Sequence, residues 1–189
     1  MRRVACAVAV LAALLLSSAC SDLGGTGDLD YIAGSGKVVE IPDDEREAPV
    51  DISGTTIQGE ALDLADLRGK VVVLNVWWSL CGPCIKEMPM LVEAETELGD
   101  DVAFVGINIR DLAKENAAAF ERARGVDYPS FYDPGSETLL DLGRFAPPSM
   151  PATLVLDATG RVAALVNGPI PSKSTLTTVV ESVLAEGDG

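Results

Sequence analysis

The stretch VVVLNVWWSLCGPC, residues 71–84, joins an unbroken apolar run to two cysteines that are three positions apart. A continuous apolar run is typical of a strand that is buried on both faces of a sheet. Pro83 is tolerated in the first turn of a helix, and a helical pattern follows it as far as Leu98. Cys81 and Cys84 are therefore predicted at the turn that leads from a central strand into a helix.

The rest of the chain alternates apolar, strand-like runs with longer segments of helical spacing. After the first helix come the strand VAFVGINI (102–109), the helix LAKENAAAFERAR (112–124), two strands joined by the turn ATG (158–160), and the helix STLTTVVESVLA (174–185). The length of 189 residues, 48% of them hydrophobic, suits one globular domain with appendages. The order of elements predicts an α/β domain whose sheet is parallel except at the closing hairpin.

The composition argues against two kinds of function. The formal net charge is −15, so the chain would repel a polyanion, and no nucleic-acid partner is expected. The sequence contains no histidine and only one Cys-x-x-Cys pair, which cannot supply the four ligands of a structural zinc site. Neither nucleic-acid binding nor a closed zinc site is therefore predicted.

Residues 1–19 have the features of an export signal. Two arginines precede an apolar run, residues 4–16, which is shorter than the roughly 20 residues of a permanent membrane helix. The segment ends in SAC, residues 18–20, and so resembles a bacterial lipoprotein signal, although Ser17 replaces the usual leucine. The resemblance implies cleavage before Cys20, lipidation of that cysteine, and an anchor on the extracytoplasmic face of the cell membrane. The alternatives are an ordinary cleaved signal and a retained membrane helix.

The segment that follows, residues 20–48, is rich in glycine and aspartate and shows no sustained periodicity. We interpret it as a flexible tether that joins the membrane anchor to a domain spanning residues 49–189. The alternative is an N-terminal strand docked on that domain, for which the stretch KVVEI (37–41) has a suitable composition.

The position of the two cysteines favours redox chemistry over a structural role. Loop-closure theory gives little stabilisation to a disulfide that closes so short a loop. Cys81 is predicted at the N-terminus of a helix, where unpaired N–H groups and the helix dipole stabilise a thiolate. Such cysteines have pKa values of roughly 3.5–7.5 instead of about 8.5, which makes Cys81 a nucleophile near neutral pH. Cys84, one turn further along, is then the buried resolving thiol.

Several linked motifs resemble the TlpA/ResA-like branch of the thioredoxin superfamily. They are Gly69-Lys70 before the central strand, Trp77, the Cys-Gly-Pro-Cys turn at residues 81–84, Glu87 and Pro89 in the helix, and Pro151-Ala-Thr153 before a later strand. The resemblance runs from about residue 49 to the C-terminus. It implies a thioredoxin fold with a central mixed sheet flanked by helices, preceded here by an N-terminal extension. It also implies that Cys81 and Cys84 form a redox-active disulfide.

The resemblance also implies roles for three residues outside the cysteine pair. Pro151 matches the family's cis-proline, although X-Pro bonds are usually trans, and the backbone of Met150 would then bind an extended substrate strand. Glu87 matches the family's active-site glutamate, and a partly buried carboxylate there can take the proton of Cys84. An ordinary solvated helix glutamate is the alternative. Asn75 stands where thioredoxin has a buried acid in the central strand, which strengthens the case for Glu87.

Together these features predict a membrane-anchored, extracytoplasmic thiol-disulfide oxidoreductase that requires no metal or organic cofactor. The resemblance implies exported thiol or disulfide proteins as partners, apocytochrome c among them, and a membrane electron donor or acceptor. We favour a protein-disulfide reductase, and a disulfide-forming oxidase is the main alternative. A thiol peroxidase is not expected, because Trp78 occupies the position where such enzymes have Thr or Ser. A non-catalytic binding lipoprotein of the same fold is the remaining alternative.

Overall fold

A six-stranded mixed sheet organises residues 36–187, the part of the chain that this computed structural model describes. The strands are β1 (Lys37–Glu40), β2 (Ser53–Thr55), β3 (Ala61–Asp63), β4 (Val71–Trp77), β5 (Val102–Ile109), β6 (Ser130–Asp133), β7 (Ala152–Leu156) and β8 (Val162–Asn167). The α-helices are α1 (Gly82–Leu98), α2 (Lys114–Arg124) and α3 (Lys173–Gly187), with 3-10 helices at Asp43–Glu45, Leu64–Leu67, Gly99–Asp101 and Thr138–Phe145. The main sheet has the order β1-β8-β7-β4-β5-β6, and β2 and β3 form a separate hairpin.

The directions of the strands agree with the predicted α/β architecture. Strands β4, β5 and β6 are parallel to one another, and β7 runs antiparallel to both β4 and β8. The sheet is thus parallel except where the β7–β8 hairpin closes it, with β1 added antiparallel at the edge of β8. The carboxyl end of β4 therefore lies in the middle of the sheet, between β5 and β7, and leads into α1.

Strand β4 is completely buried because the sheet is covered on both faces. Its side chains alternate between two apolar clusters, as the pleat of a strand requires. Val73 and Trp77 lie in the cluster that includes residues of α1 and α3, whereas Leu74 and Val76 lie in the cluster on the other face. The unbroken apolar run in the sequence thus has a direct cause, since no side chain of this strand faces water.

The N-terminal boundary of the domain differs from the prediction. The tether predicted for residues 20–48 is wrong for residues 37–40, which form β1 and pair with β8, the docked-strand alternative. Without β1, the backbone N–H and C=O groups on the outer edge of β8, the edge away from β7, would have no strand partner. Arg46, also in the predicted tether, has a side chain only 3% exposed and forms an ion pair with Asp157 at 3.1 Å. The signal at residues 1–19, Cys20 and residues 20–35 lie outside the described residues.

Among residues 36–187, none of the helices has both the length and the apolar character needed to span a lipid bilayer. The apolar side chains of the helices pack on the sheet instead, as those of Leu91 in α1 and Leu176 in α3 do.

Candidate active site

Cys81 and Cys84 lie where strand β4 gives way to helix α1, as the sequence predicts. Their sulfur atoms are 2.03 Å apart, in a disulfide. Cys81 is the residue before the first turn of α1, and its carbonyl accepts the first helical hydrogen bond, 2.9 Å from the amide nitrogen of Ile85. Pro83 lies in that first turn, where its missing N–H leaves no helical hydrogen bond unmade.

The two cysteines differ in exposure and in their contacts with the start of α1. Cys81 is 8% exposed, whereas Cys84 is completely buried. The backbone N–H of Cys84 donates a hydrogen bond to the sulfur of Cys81 at 3.2 Å. In the reduced protein this sulfur is a thiol or thiolate, and an N–H donor at a helix N-terminus stabilises the thiolate. Cys81 is therefore the sulfur that a partner can reach and that the helix activates.

A buried carboxylate holds the loop that precedes Cys81. Asp111 is 3% exposed, and its two oxygens accept hydrogen bonds from the backbone N–H of Ser79 at 3.1 Å and from its hydroxyl at 2.6 Å. The side-chain amide of Asn108 donates a third hydrogen bond to Asp111 at 2.8 Å. Since Ser79 is two residues before Cys81, these contacts fix the approach of the chain to the disulfide.

Glu87 is buried on helix α1, one turn after Cys84. It is 5% exposed, and its carboxylate accepts hydrogen bonds from the side-chain amide of Asn75 at 3.1 Å and from the backbone N–H of Ile170 at 3.2 Å. Burial raises the pKa of Glu87 from 4.5 to about 7, and the two hydrogen bonds only partly oppose this effect. Residues three apart on a helix have Cβ atoms about 5–6 Å apart, so Glu87 and Cys84 are neighbours.

Asn75 links the central strand to this carboxylate. Its amide nitrogen lies within hydrogen-bonding distance of Glu87, of the hydroxyl of Thr153 at 3.0 Å and of the carbonyl of Ala152 at 3.4 Å. Its amide oxygen is buried and has no hydrogen-bond partner among residues 36–187. When Glu87 is protonated, its O–H can donate a hydrogen bond to this oxygen, provided that the side-chain amide of Asn75 rotates. Asn75 can thus serve both protonation states of Glu87.

A groove of about 530 Å³ opens beside Cys81. Met150 lines this groove, and the peptide bond between Met150 and Pro151 is cis, as the resemblance implies. The backbone N–H and C=O of Met150 form no hydrogen bond with any residue of the described part of the chain. The groove therefore brings together Cys81 and a stretch of backbone with unused hydrogen-bonding groups.

A second opening leads to Glu87. This cleft of about 520 Å³ is lined by Gly82 and Pro83 at the start of α1, by Glu87 itself, and by the loop containing Ile170. It shares no lining residue with the groove beside Cys81. The cleft connects a carboxylate whose pKa is near neutral to solvent, so Glu87 can exchange protons with water there.

No metal-binding arrangement accompanies these residues. Among residues 36–187, no group of three or more His, Cys, Asp or Glu side chains is arranged so that it could hold a metal ion. The chemical groups that the site does bring together are two sulfur atoms, one carboxylate and backbone amides, which suit thiol–disulfide exchange.

A comparison with protein families assigns the chain. The Redoxin family model matches residues 41–181. The chain belongs to the redoxin family. Its curated relatives include the thiol-disulfide oxidoreductase ResA of Bacillus anthracis, which is 30% identical over 126 residues, covering 65% of this chain and 69% of the relative. This redoxin is thus a thiol-disulfide oxidoreductase of the ResA type, which confirms the resemblance stated from its motifs.

Solved structures confirm the thioredoxin-like fold of this redoxin. A DsbF homologue from Corynebacterium diphtheriae superposes with a TM-score of 0.72 at 35% identity, covering 82% of this chain and 99% of the homologue. A secreted thiol-disulfide isomerase from Corynebacterium glutamicum has a TM-score of 0.69 at 32% identity, covering 84% of this chain and 99% of the isomerase. The predicted mixed sheet flanked by helices is therefore correct.

The predicted site residues occupy two places in this redoxin. Cys81 and Met150 line the groove, and Pro151 is joined to Met150 by the cis peptide bond but does not line it. Glu87 lines the separate cleft, and Cys84 lies buried in the core. Sequence reasoning did not predict the loop that holds Glu87, the carboxylate of Asp111, or the groove residue Arg110. Asn75 was noticed for its place in the central strand, but its direct hydrogen bond to Glu87 was not predicted.

Proposed function

We propose that this redoxin is a membrane-anchored, extracytoplasmic protein-disulfide reductase that acts on exported proteins. The observation that carries the proposed exchange chemistry is the asymmetry of the disulfide: Cys81 lines a groove and its sulfur accepts a hydrogen bond from the N–H of Cys84, while Cys84 is completely buried. That arrangement suits a nucleophile that meets a large partner and a resolving thiol that the partner cannot reach.

The reaction proceeds by two exchanges. In the reduced protein, the Cys81 thiolate attacks a disulfide of the exported protein, so that a bond forms between Cys81 and one substrate sulfur and the other substrate sulfur leaves as a thiolate. The Cys84 thiolate then attacks the sulfur of Cys81, which forms the Cys81–Cys84 disulfide and releases the second substrate thiol. The substrate disulfide gains two electrons that the two cysteines lose. A membrane dithiol donor of the same chemistry restores the reduced protein.

Glu87 is the proton acceptor in the second exchange. Cys84 is buried and therefore needs a base that removes its proton before it can attack. The pKa of Glu87, raised by burial to about 7, matches that task near neutral pH. The proton then leaves through the cleft that Glu87 lines, and the leaving substrate thiolate takes a proton from water. In this role Glu87 acts on the reacting sulfur of Cys84 directly.

The anchor is lipid attached to Cys20, and the disulfide-bonded cysteines of apocytochrome c are a substrate class that the resemblance to the TlpA/ResA-like branch implies. The lipoprotein-like signal at residues 1–19 supports the anchor. Cells fed an alkyne-tagged fatty acid should incorporate the tag into the wild-type chain and not into the Cys20→Ala variant. A wild-type chain that stays untagged and leaves the membrane fraction would replace this proposal with an ordinary cleaved signal.

Trapping of mixed disulfides tests the exchange. The Cys84→Ser variant, expressed in full length, should accumulate disulfide-linked complexes with exported proteins because the second exchange is blocked. The matched Cys81→Ser variant should accumulate none. If neither variant traps a partner and Cys81→Ser leaves cellular function intact, the protein is a non-catalytic binding lipoprotein instead.

The direction of electron flow follows from the reduction potential. Equilibration of the protein with glutathione mixtures should give a value near that of thioredoxin, about −270 mV, if the protein is a reductase. A value near that of the oxidase DsbA, about −120 mV, would make it a disulfide-forming oxidase. Mass spectrometry of trapped partners then shows whether apocytochrome c is among them.

A further inference from the structure

The groove beside Cys81 contains a single charged side chain. Its other lining residues are apolar, prolyl or hydroxyl-bearing, and only Arg110 carries a charge. Arg110 follows the last residue of β5, is exposed, and forms no ion pair with any of residues 36–187. Its guanidinium can therefore bind an anionic group of a molecule that enters the groove.

The backbone fixes the position of Arg110. Its φ angle is 65°, a left-handed conformation that residues other than glycine seldom adopt. The next residue, Asp111, is buried and accepts three hydrogen bonds, two of them from Ser79 of the loop before Cys81. The turn at Arg110 and the loop that carries Cys81 are thus tied to the same carboxylate. The backbone of Arg110 and the reactive sulfur consequently keep a fixed relation.

The charge of Arg110 contrasts with that of the chain as a whole. The sequence has 29 acidic and 14 basic residues, so at long range the protein repels an acidic partner. At physiological ionic strength charges are screened beyond about 8 Å, and the nearest cation dominates a contact inside the groove. Arg110 therefore affects which partner reacts after encounter and not how fast partners arrive.

Three exposed leucines lie within two positions of groove residues along the chain. The large hydrophobic side chains most exposed in the described part of the chain are Leu80, Leu112 and Leu140, at 72%, 90% and 79%. Leu80 precedes Cys81, Leu112 is two residues after Arg110, and Leu140 follows a groove residue. Exposed apolar groups next to groove residues are available for contact with a polypeptide that extends beyond the groove.

We propose that Arg110 is a specificity-determining residue that selects polypeptide segments carrying a carboxylate side chain close to the reacting cysteine. The segment lies in the groove, its acidic side chain pairs with the guanidinium, and its neighbouring apolar side chains contact the exposed leucines. The inference rests on the proposed disulfide exchange and adds to it the chemical class of the substrate.

Matched peptides test the selectivity of the reduced protein. Each peptide carries one cysteine in a disulfide with uncharged 2-mercaptoethanol, and the set differs only in having Glu, Gln or Lys at positions near that cysteine. Exchange transfers two electrons from Cys81 and Cys84 to the peptide disulfide, which releases the peptide thiol and mercaptoethanol. Mass spectrometry of acid-quenched samples gives the rate constant for each peptide.

The wild-type protein should react about two- to fivefold faster with the best-placed Glu peptide than with its Gln counterpart, the range expected for a partly exposed ion pair. The Lys peptide should be slowest, and the preference should shrink at high salt. Arg110→Gln should remove the preference, whereas Arg110→Lys should keep most of it. Arg122→Gln, which removes the same charge from an exposed site on α2, should leave the preference unchanged.

Three results would overturn the inference. The first is an Arg110→Gln variant that keeps the wild-type preference for Glu. The second is an Arg110→Gln variant that reacts more slowly with all peptides by the same factor and also shows an altered pH profile for alkylation of Cys81 by neutral iodoacetamide. That result would mean that Arg110 acts on the Cys81 thiolate. The third is an equal loss of rate with glutathione disulfide, which would assign Arg110 to small anionic disulfides. A wild-type protein that exchanges with no disulfide at all, charged or neutral, would instead refute the proposed function.

Discussion

Replacing Glu87 with glutamine should stabilise the protein at neutral and alkaline pH. The carboxylate is buried, and its pKa rises from 4.5 to about 7 because burial disfavours the charged form. At about 1.4 kcal/mol for each tenfold change in proton affinity, ionisation of Glu87 costs about 3 kcal/mol of folding free energy. Glutamine cannot ionise, and its amide can still accept from Ile170 and donate to the unpartnered oxygen of Asn75.

The sign and the pH window of this effect follow from proton linkage. Below pH 4.5 Glu87 is protonated in both the folded and the unfolded chain, so wild type and variant should have similar stability. As the pH rises from 4.5 to about 7, the unfolded chain releases its proton first, and the wild type loses stability relative to the variant. Above about 7 the difference should remain constant, at about 3 kcal/mol.

Denaturant unfolding of the two oxidised proteins across this pH range measures the difference. Oxidised protein is used so that neither cysteine titrates. Glu181→Gln serves as the control, because Glu181 is an exposed carboxylate on α3 and its replacement should leave the pH profile unchanged. Parallel stability profiles for wild type and Glu87→Gln would refute the argument that burial raises the pKa of Glu87.

Three other substitutions test contacts around the site and at the edge of the domain. Asp111→Asn should cost about 1–3 kcal/mol of unfolding free energy and slow the reaction of Cys81 with small disulfides, since an amide cannot accept every hydrogen bond that the carboxylate accepts. Arg46→Ala should lower the unfolding free energy by about 2 kcal/mol in chemical denaturation, because Asp157 loses a nearly buried cationic partner. Gly106→Ala should lower the melting temperature, because a methyl group there would lie 2.2 Å from a neighbouring hydroxyl oxygen.

The parts of the site that local sequence patterns encode were predictable. A buried strand, a proline in the first turn of a helix and the cysteine spacing are all features of one short segment, so Cys81 and Cys84 could be placed at a strand-to-helix turn. The spacing of Glu87 from Cys84 puts both on one face of the helix, and the resemblance implied a partly buried carboxylate there, which the structure bears out against the solvated alternative.

The contacts that tune the site were not predictable, because they join distant parts of the chain. Asp111 binds Ser79 across 32 positions, and Ile170 binds Glu87 across 83 positions. Neither Asp111 nor Ile170 lies in a periodic segment, so no pattern marks them. Strand β1 was predicted only as the alternative to a tether for a related reason: four residues are too few to establish a period, and the pairing partner is the distant β8.

The separation of the two openings explains how one small site can handle a large partner and a proton at the same time. Cys81 lines the groove, Glu87 lines the cleft, and the two share no lining residue. In the proposed reaction, a polypeptide joined to Cys81 fills the groove while Cys84 still has to lose its proton. Because Glu87 reaches water through the cleft, that proton can leave with the substrate in place. Residues of the groove, Arg110 among them, can therefore determine which partner binds without changing the proton transfer that completes the exchange.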